Sequence, residues 1–184
     1  VFIMNITIVI PTFNNIDYLK LCLKSIDDNS NYNHEVIVHI NEGSDGTLEF
    51  IKEKSLKYSH SQTNIGLCSS VNKAAALSTT NYILYAHDDM FFCKDWDLHL
   101  EKVVKQQKNS LFYLSGKSIS NNDLNENFKC GLTPASFNKS LFEKFCVLNR
   151  SENLQGSHWA PHLIHKDLWN NVGGFSEEFN PGDG

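Results

Sequence analysis

The stretch Asn5–Asn14, N-I-T-I-V-I-P-T-F-N, decides how this chain is read. From Asn5 to Ile10 it is rich in β-branched residues and does not sustain an apolar–polar alternation. A strand with one wet face alternates, and a strand covered on both faces does not. The run therefore predicts a strand inside a parallel sheet. Pro11 removes a backbone donor, so Pro11–Asn15 reads as a loop. Ile16, Leu19, Leu23 and Ile26 then recur at helical spacing, with Asn14 or Asn15 as N-cap and Asp17 in the first turn.

The same alternation continues downstream. Glu35–Ile40 (E-V-I-V-H-I) predicts a second buried strand, and Asn41–Thr47 (N-E-G-S-D-G-T) a turn-rich loop. A helix over about 47–56, a short strand at 57–59, a loop at Thr63–Gly66 and a helix over 69–77 follow. Tyr82–Tyr85 predicts a third core strand, ending on His87, Asp88 and Asp89. Trp96, Leu100, Val103 and Val104 give a further helical face, and Leu111–Leu114 a further strand. Ser115–Lys129 reads as a long polar loop, and 140–148 and 167–172 as short helices, the second stopped by Gly173–Gly174. Strands alternating with helices make the expected class α/β, with a mostly parallel central sheet and helices on both faces. No repeat or linker divides the chain, so one domain over 1–184 is expected.

The composition of the 184 residues, 41% hydrophobic and 20% charged, is that of a globular chain rather than a disordered one. The net charge is -5 and no Lys/Arg cluster stands out, which argues against a nucleic-acid partner. Five scattered cysteines without a CxxC pair argue against a disulfide framework or a zinc site and fit a reducing compartment. No apolar run approaches the ~20 residues of a membrane span. The apolar N-terminus lacks a basic flank and a cleavage site, so it is not read as a signal peptide. A cytoplasmic location is expected, with peripheral attachment to a membrane left open. Met4 reads as a natural start, and Pro181–Gly184 as a loop cut short, hence an expected C-terminal truncation.

In open α/β sheets ligands bind outside the carboxyl ends of the strands. Here those ends carry Pro11–Asn14, Asn41–Asp45 and His87–Asp89. Taken singly, the second is an ordinary turn capped at Asp45 and the third a solvated N-cap pair. Taken together they put acids on one edge. Adjacent carboxylates repel, and a hard divalent cation shared with phosphate oxygens would compensate them. No GxGxxG and no GxxxxGK[ST] occurs, so the phosphates of a bound nucleotide would need such a partner.

In chain order these residues resemble glycosyltransferase family 2, the inverting nucleotide-sugar transferases with a GT-A (Rossmann-like) fold. Ile8–Asn14 resembles the family's V-I-P-x-Y-N, and Asn41–Thr47 its D-D-G-S-x-D-x-T. Asn64-Ile-Gly66 with Asn72-Lys73 resembles N-x-G…A-R-N-x-G. Ala86-His-Asp-Asp89 resembles the metal-binding D-x-D-D or T-D-D, and Val172–Phe179 the acceptor-side G-G-F-D-E-x-F. The resemblance implies transfer of a sugar, with inversion, from a UDP-, GDP- or dTDP-linked donor to a glycan, lipid-linked or protein acceptor. It implies a nucleotide-binding half over about 1–115 and an acceptor-side half over about 116–184. Pro11, Thr12 and Phe13 would line the base pocket, and Glu42 would stand for the acid that reads the nucleobase or ribose. Asn64, Gly66, Asn72 and Lys73 would complete the donor site. Asp88 would contact ribose or metal, and Asp88 or Asp89 would ligate Mn²⁺ or Mg²⁺. The base is expected shortly after the G-G-F segment, where Asp183 is the only acid beyond Glu178. The chain departs from the pattern at Asn41-Glu42, at Ala86 in place of the first Asp, and at Val71 in place of Arg.

His158, Trp159, His162 and His165 cluster before Gly173. A zinc site is conceivable on the spacing of His158 and His162, though no HExxH glutamate accompanies it, and plain structural histidines fit as well. The resemblance implies acceptor-side residues here, His158, Trp159 and His162, with Trp159 able to stack on a sugar ring. Two other functions fit the same class. One is an inactive nucleotide-sugar or glycan-binding module. The other is a sugar nucleotidyltransferase, which would call for a Gly-rich basic loop where Pro11–Asn15 stands.

Overall fold

The computed structural model describes residues 4–116, 119, 129–148 and 160–181. Its core is a six-stranded sheet made of β1 (Ile6–Phe13), β2 (Glu35–Asn41), β3 (Lys57–Ser61), β4 (Tyr82–Tyr85), β5 (Tyr113–Ser115) and β6 (His162–His165). The strand order is β3-β2-β1-β4-β6-β5. β1 to β4 run parallel, and β6 pairs antiparallel to both β4 and β5. The helices are α1 (Ile16–Asn29), α2 (Thr47–Glu53), α3 (Leu67–Ala75), α4 (Trp96–Val104), α5 (Lys139–Leu148) and α6 (Lys166–Val172).

The β-branched run explains the two-sided core. Ile6, Ile8 and Ile10 point to one face, where they meet Leu19, Leu23 and Ile26 of α1 and Trp96 of α4. Val9 points to the other, against Val71, Ala74 and Ala75 of α3 and Trp169 of α6. Successive side chains of a strand alternate faces, so a helix layer on each side demands apolar residues at every position. The α/β class with helices on both faces is therefore observed.

The differences are local. β1 runs on through Pro11 to Phe13, where a loop was expected. β4 ends at Tyr85, opposite Val9, so past that point β1 is flanked by β2 alone. A residue without an N–H is tolerated where one flank of the strand is free. β5 starts at Tyr113 rather than Leu111, and α2 is shorter than expected. β6 was not anticipated at all: four residues, H-L-I-H, carry too little pattern to separate a strand from a helix turn.

Candidate functional site

β1 lies between β2 and β4, so the chain leaves it in one direction through α1 and returns on the other side through β4. That is the switch point of the sheet, where the loops diverge and leave a crevice. A cleft of about 260 Å³ opens there. Of the expected donor residues, Pro11, Thr12, Phe13, Asn64, Gly66 and Asp88 line it. Asn15, Asn41, Leu67, His87 and Pro181 line it too and had not been singled out for it.

Asp88 is the acid most firmly placed. Its Oδ2 accepts from Thr12 Oγ1 at 2.6 Å, which joins the ends of β1 and β4 across the crevice. Burial raises its pKa above the usual carboxylate value. The Thr12 and Asn15 hydrogen bonds work against that rise, and the Asp89 charge adds to it. Asp89 is exposed. The pair therefore offers one fixed oxygen donor and one free to turn. Below them, Cys22 Sγ of α1 donates to the His87 carbonyl at 3.6 Å, and burial with two nearby negative charges pushes its thiol up. His87 itself is hydrogen-bonded to the Tyr85 hydroxyl at 2.7 Å.

Among the described residues no group of three His, Cys, Asp or Glu side chains is arranged to hold a metal ion. The donor set still suits a hard cation of the kind that takes one or two carboxylates and draws its other oxygens from phosphate and water. A desolvated carboxylate beside a second acid is a place where a positive charge is favoured.

Asn41 is the residue whose importance the sequence concealed. It reads as a departure from an acidic motif. Its buried amide instead donates to Thr12 O (3.3 Å) and Ser70 Oγ (3.0 Å), and its oxygen accepts from Ile65 N (3.0 Å) and Ser61 Oγ (3.3 Å). One side chain thus ties the ends of β1 and β3 to the entry of α3. The only signal available was its position, one residue after an apolar run. Behind it, fully buried His39 spans Ser59 Oγ (2.8 Å) and Ser61 Oγ (3.2 Å), and burial lowers its pKa to about 4.

Glu42 lies beside the cleft rather than in its lining. Its backbone has φ 60, uncommon for a residue with a side chain. The His60 ring at 2.9 Å from its carbonyl and Asn14 Nδ2 at 3.2 Å from its carboxylate hold it there. Asn14 Oδ1 in turn accepts from Gly43 N and Ser44 N. Asp45 caps two helices at once, accepting from Thr47 N (3.1 Å) and from Ile16 N (2.8 Å). Asn15 is the N-cap of α1, as expected, but makes no side-chain cap hydrogen bond; Asp45 supplies that acceptor.

The residues after α6 fold back over α3. Asn72 is engaged twice with the Phe175 backbone, accepting at 2.9 Å and donating at 2.9 Å. It therefore clamps this returning segment and does not line the cleft. Leu67 N donates to Pro181 O at 2.9 Å, and Asn180 exchanges hydrogen bonds with Ser69. Gly66 has φ +82, and a Cβ there would lie 2.5 Å from Asn180 Oδ1, so the close approach requires glycine. Lys73 is exposed in the last turn of α3. At 1.5 Å per residue it stands roughly 9 Å along the axis from the cleft end.

The histidines separate. His162 and His165 lie on a strand, three residues apart, and so face opposite sides of the sheet. His162 packs against Tyr85 and Tyr113, and His165 against Tyr82. His158, Trp159 and Asp183 lie outside the described residues. No described helix is long and apolar enough to cross a membrane.

Comparison with known proteins agrees with this geometry. Residues 7–169 match the profile of Glycosyl transferase family 2. The chain is 28% identical over 145 residues to an uncharacterized glycosyltransferase of Rickettsia bellii, covering 76% of this chain and 20% of that protein. It is 31% identical over 109 residues to glycosyltransferase GlyA of Streptococcus pneumoniae, covering 55% and 15%. The chain thus spans about a fifth or less of those relatives' length. Among solved structures, S. aureus TarS 1-349 in complex with UDP superposes with a TM-score of 0.67 at 16% identity, over 97% of this chain and 52% of that one. The mannosyltransferase PcManGT of Pyrobaculum calidifontis, in complex with GDP-Man and Mn2+, superposes with a TM-score of 0.66 at 16% identity, over 95% and 48%. These likenesses carry the fold, GT-A, and the profile carries the family: the chain belongs to glycosyl transferase family 2.

Proposed function

We propose that this chain binds a nucleoside-diphosphate sugar in the cleft at the switch point and transfers the sugar, with inversion, to an acceptor hydroxyl. The observation that carries the reading is the Thr12–Asp88 bridge in a cleft also lined by Phe13, Asn64 and Gly66. Half-exposed Phe13 offers a ring face to a nucleobase. Glu42, pinned by Asn14 and His60, accepts hydrogen bonds from base or ribose. Asp88 and Asp89 would hold Mn²⁺ or Mg²⁺, which supplies charge neutralisation for a diphosphate leaving group. Thr12 keeps the Asp88 carboxylate turned toward the cleft whether or not a ligand is present.

Pro181, at the end of the returning segment, lines the cleft, and the acceptor would approach from beside that segment. His162, beside Tyr85 and Tyr113, borders that side, and Asp183 is proposed as the general base. Asp183→Asn is expected to keep donor binding and abolish transfer; full activity in that variant would move the base elsewhere.

The reading is tested by thermal unfolding with UDP, GDP and dTDP, each with and without Mn²⁺. A ligand at a hundredfold its Kd stabilises by about 2.7 kcal/mol. For a chain of this size that is roughly 5–10 °C in Tm. The rise should require the metal and vanish in Asp88→Asn. No metal-dependent rise with any of the three would remove the proposal. A rise without transfer to any glycan acceptor would leave the binding-module reading.

A further inference from the structure

Three of the five cysteines, far apart in sequence, meet on one side of the molecule. Cys93 lies on the loop after Asp88–Asp89, Cys130 precedes α5, and Cys146 lies near the end of α5. None of the three is joined in a disulfide. A hydrogen bond with Cys93 and burial push the Cys146 thiol up, and nearby Cys130 and Glu143 add to the rise.

The packing around them accounts for this contact independently. Phe91 stacks with Phe137 at 4.6 Å between centroids and meets Phe142 at 5.3 Å. Cys146 is four residues past Phe142, hence on the same face of α5. Cys93 is two residues past Phe91, so the Phe91–Phe142 contact brings its segment alongside α5. The aromatic contact therefore carries the two sulfurs toward one another. Asn138 N, at the start of the helix, donates to Cys130 O at 2.7 Å and fixes the third cysteine beside them. α5 buries none of its residues fully, so these contacts are a large part of what holds it. Both Cys93 and Cys146 keep partial solvent access.

We propose that Cys93 and Cys146 are a reversible thiol–disulfide pair that, when oxidised by a hydroperoxide, ties α5 to the loop carrying Asp88 and Asp89. In this proposal Cys93 is the nucleophile and Cys146 the resolving thiol. Its thiolate attacks one peroxide oxygen, the O–O bond breaks, and Cys93 sulfenic acid and one water form. The Cys146 sulfur then attacks the Cys93 sulfur, displacing the hydroxyl as a second water. Two thiols and one hydrogen peroxide give one disulfide and two waters, and an added dithiol reverses the step. The bond would limit how far α5 can move from the acidic loop. This proposal does not depend on which nucleotide the cleft takes.

The test is hydrogen peroxide titration of the intact protein, followed by alkylation and peptide mass spectrometry with and without dithiothreitol. Expected are the loss of two alkylatable thiols, a Cys93–Cys146 crosslinked peptide, recovery of both thiols by dithiothreitol, and a higher Tm in the oxidised form. Cys93→Ser and Cys146→Ser should each abolish the crosslink, while Cys130→Ser keeps it. Cys146→Ala provides a second variant where Cys146→Ser fails to fold. A crosslink through Cys130, or oxidation of Cys93 that stops at sulfinic acid with Cys146 still alkylatable, would overturn the proposal.

Discussion

The loops at the carboxyl ends of β1, β2 and β3 differ from the region around α5 in what fixes them. At the strand ends each loop is tied to its neighbours by side-chain hydrogen bonds: buried Asn41 to Thr12, Ser61, Ile65 and Ser70, and exposed Asp45 to both α1 and α2. α5 has no fully buried residue and is held by a ring cluster, a thiol contact and a salt bridge from Lys139 to Asp28. Buried polar networks specify one geometry because leaving any member unpaired is costly. Exposed ion pairs contribute little and leave position adjustable. The cleft at the strand ends is thus built for a fixed shape, and α5 for adjustment.

The contrast breaks first at Asn41. Asn41→Ala strands several buried partners and should cost about 2–4 kcal/mol in urea unfolding. A loss under 1 kcal/mol would mean that the strand-end loops hold without it. His39 sharpens the same point through pH. Its folded pKa, about 4, lies below the ordinary 6.5, so between those values the unfolded chain binds more protons. Its contribution is present above pH 6.5 and is lost as the pH falls toward 4. His39→Gln should flatten the fall in urea midpoint between pH 6.5 and 4.5, and an unchanged fall would assign it to other groups. Glu42→Ala should weaken nucleotide binding roughly tenfold, about 1.4 kcal/mol, with little change in Tm. Equal affinity would exclude Glu42 from the donor site. On α5, Val147 is 66% exposed. Val147→Ser should stay within about 0.5 kcal/mol of the parent, and a larger loss would show that a covered face exists there.

The parallel half of the sheet was legible because burial on both faces leaves a mark that needs no partner to be read: Ile6 to Ile10 are apolar or β-branched throughout. β6 was not, since its antiparallel pairing with β4 is specified by residues eighty positions away and its own four residues are ambiguous. In the site, Asp88 and the Pro11–Phe13 edge were legible from position at strand ends. Asn41 was read against an acidic motif, and an amide's value as a two-way hydrogen-bonding hub is invisible until its partners are brought to it. Asn72 and Lys73 were assigned by motif, but the returning segment engages the first and the length of α3 carries the second away from the cleft.

That returning segment has an electrostatic consequence. The first amides of a helix are a ready receptor for anions. At α3 they are committed: Gly66 N to Asn64 Oδ1, Leu67 N to Pro181 O, and Ser69 N to Asn180 Oδ1. Under the proposed function, an incoming diphosphate would meet a helix end whose Gly66, Leu67 and Ser69 amides are already taken by neutral oxygens. The countercharge for two phosphates would then fall to a cation recruited by Asp88 and Asp89. Such a site would make donor capture sensitive to divalent-ion supply in a way that a glycine-rich phosphate cradle is not.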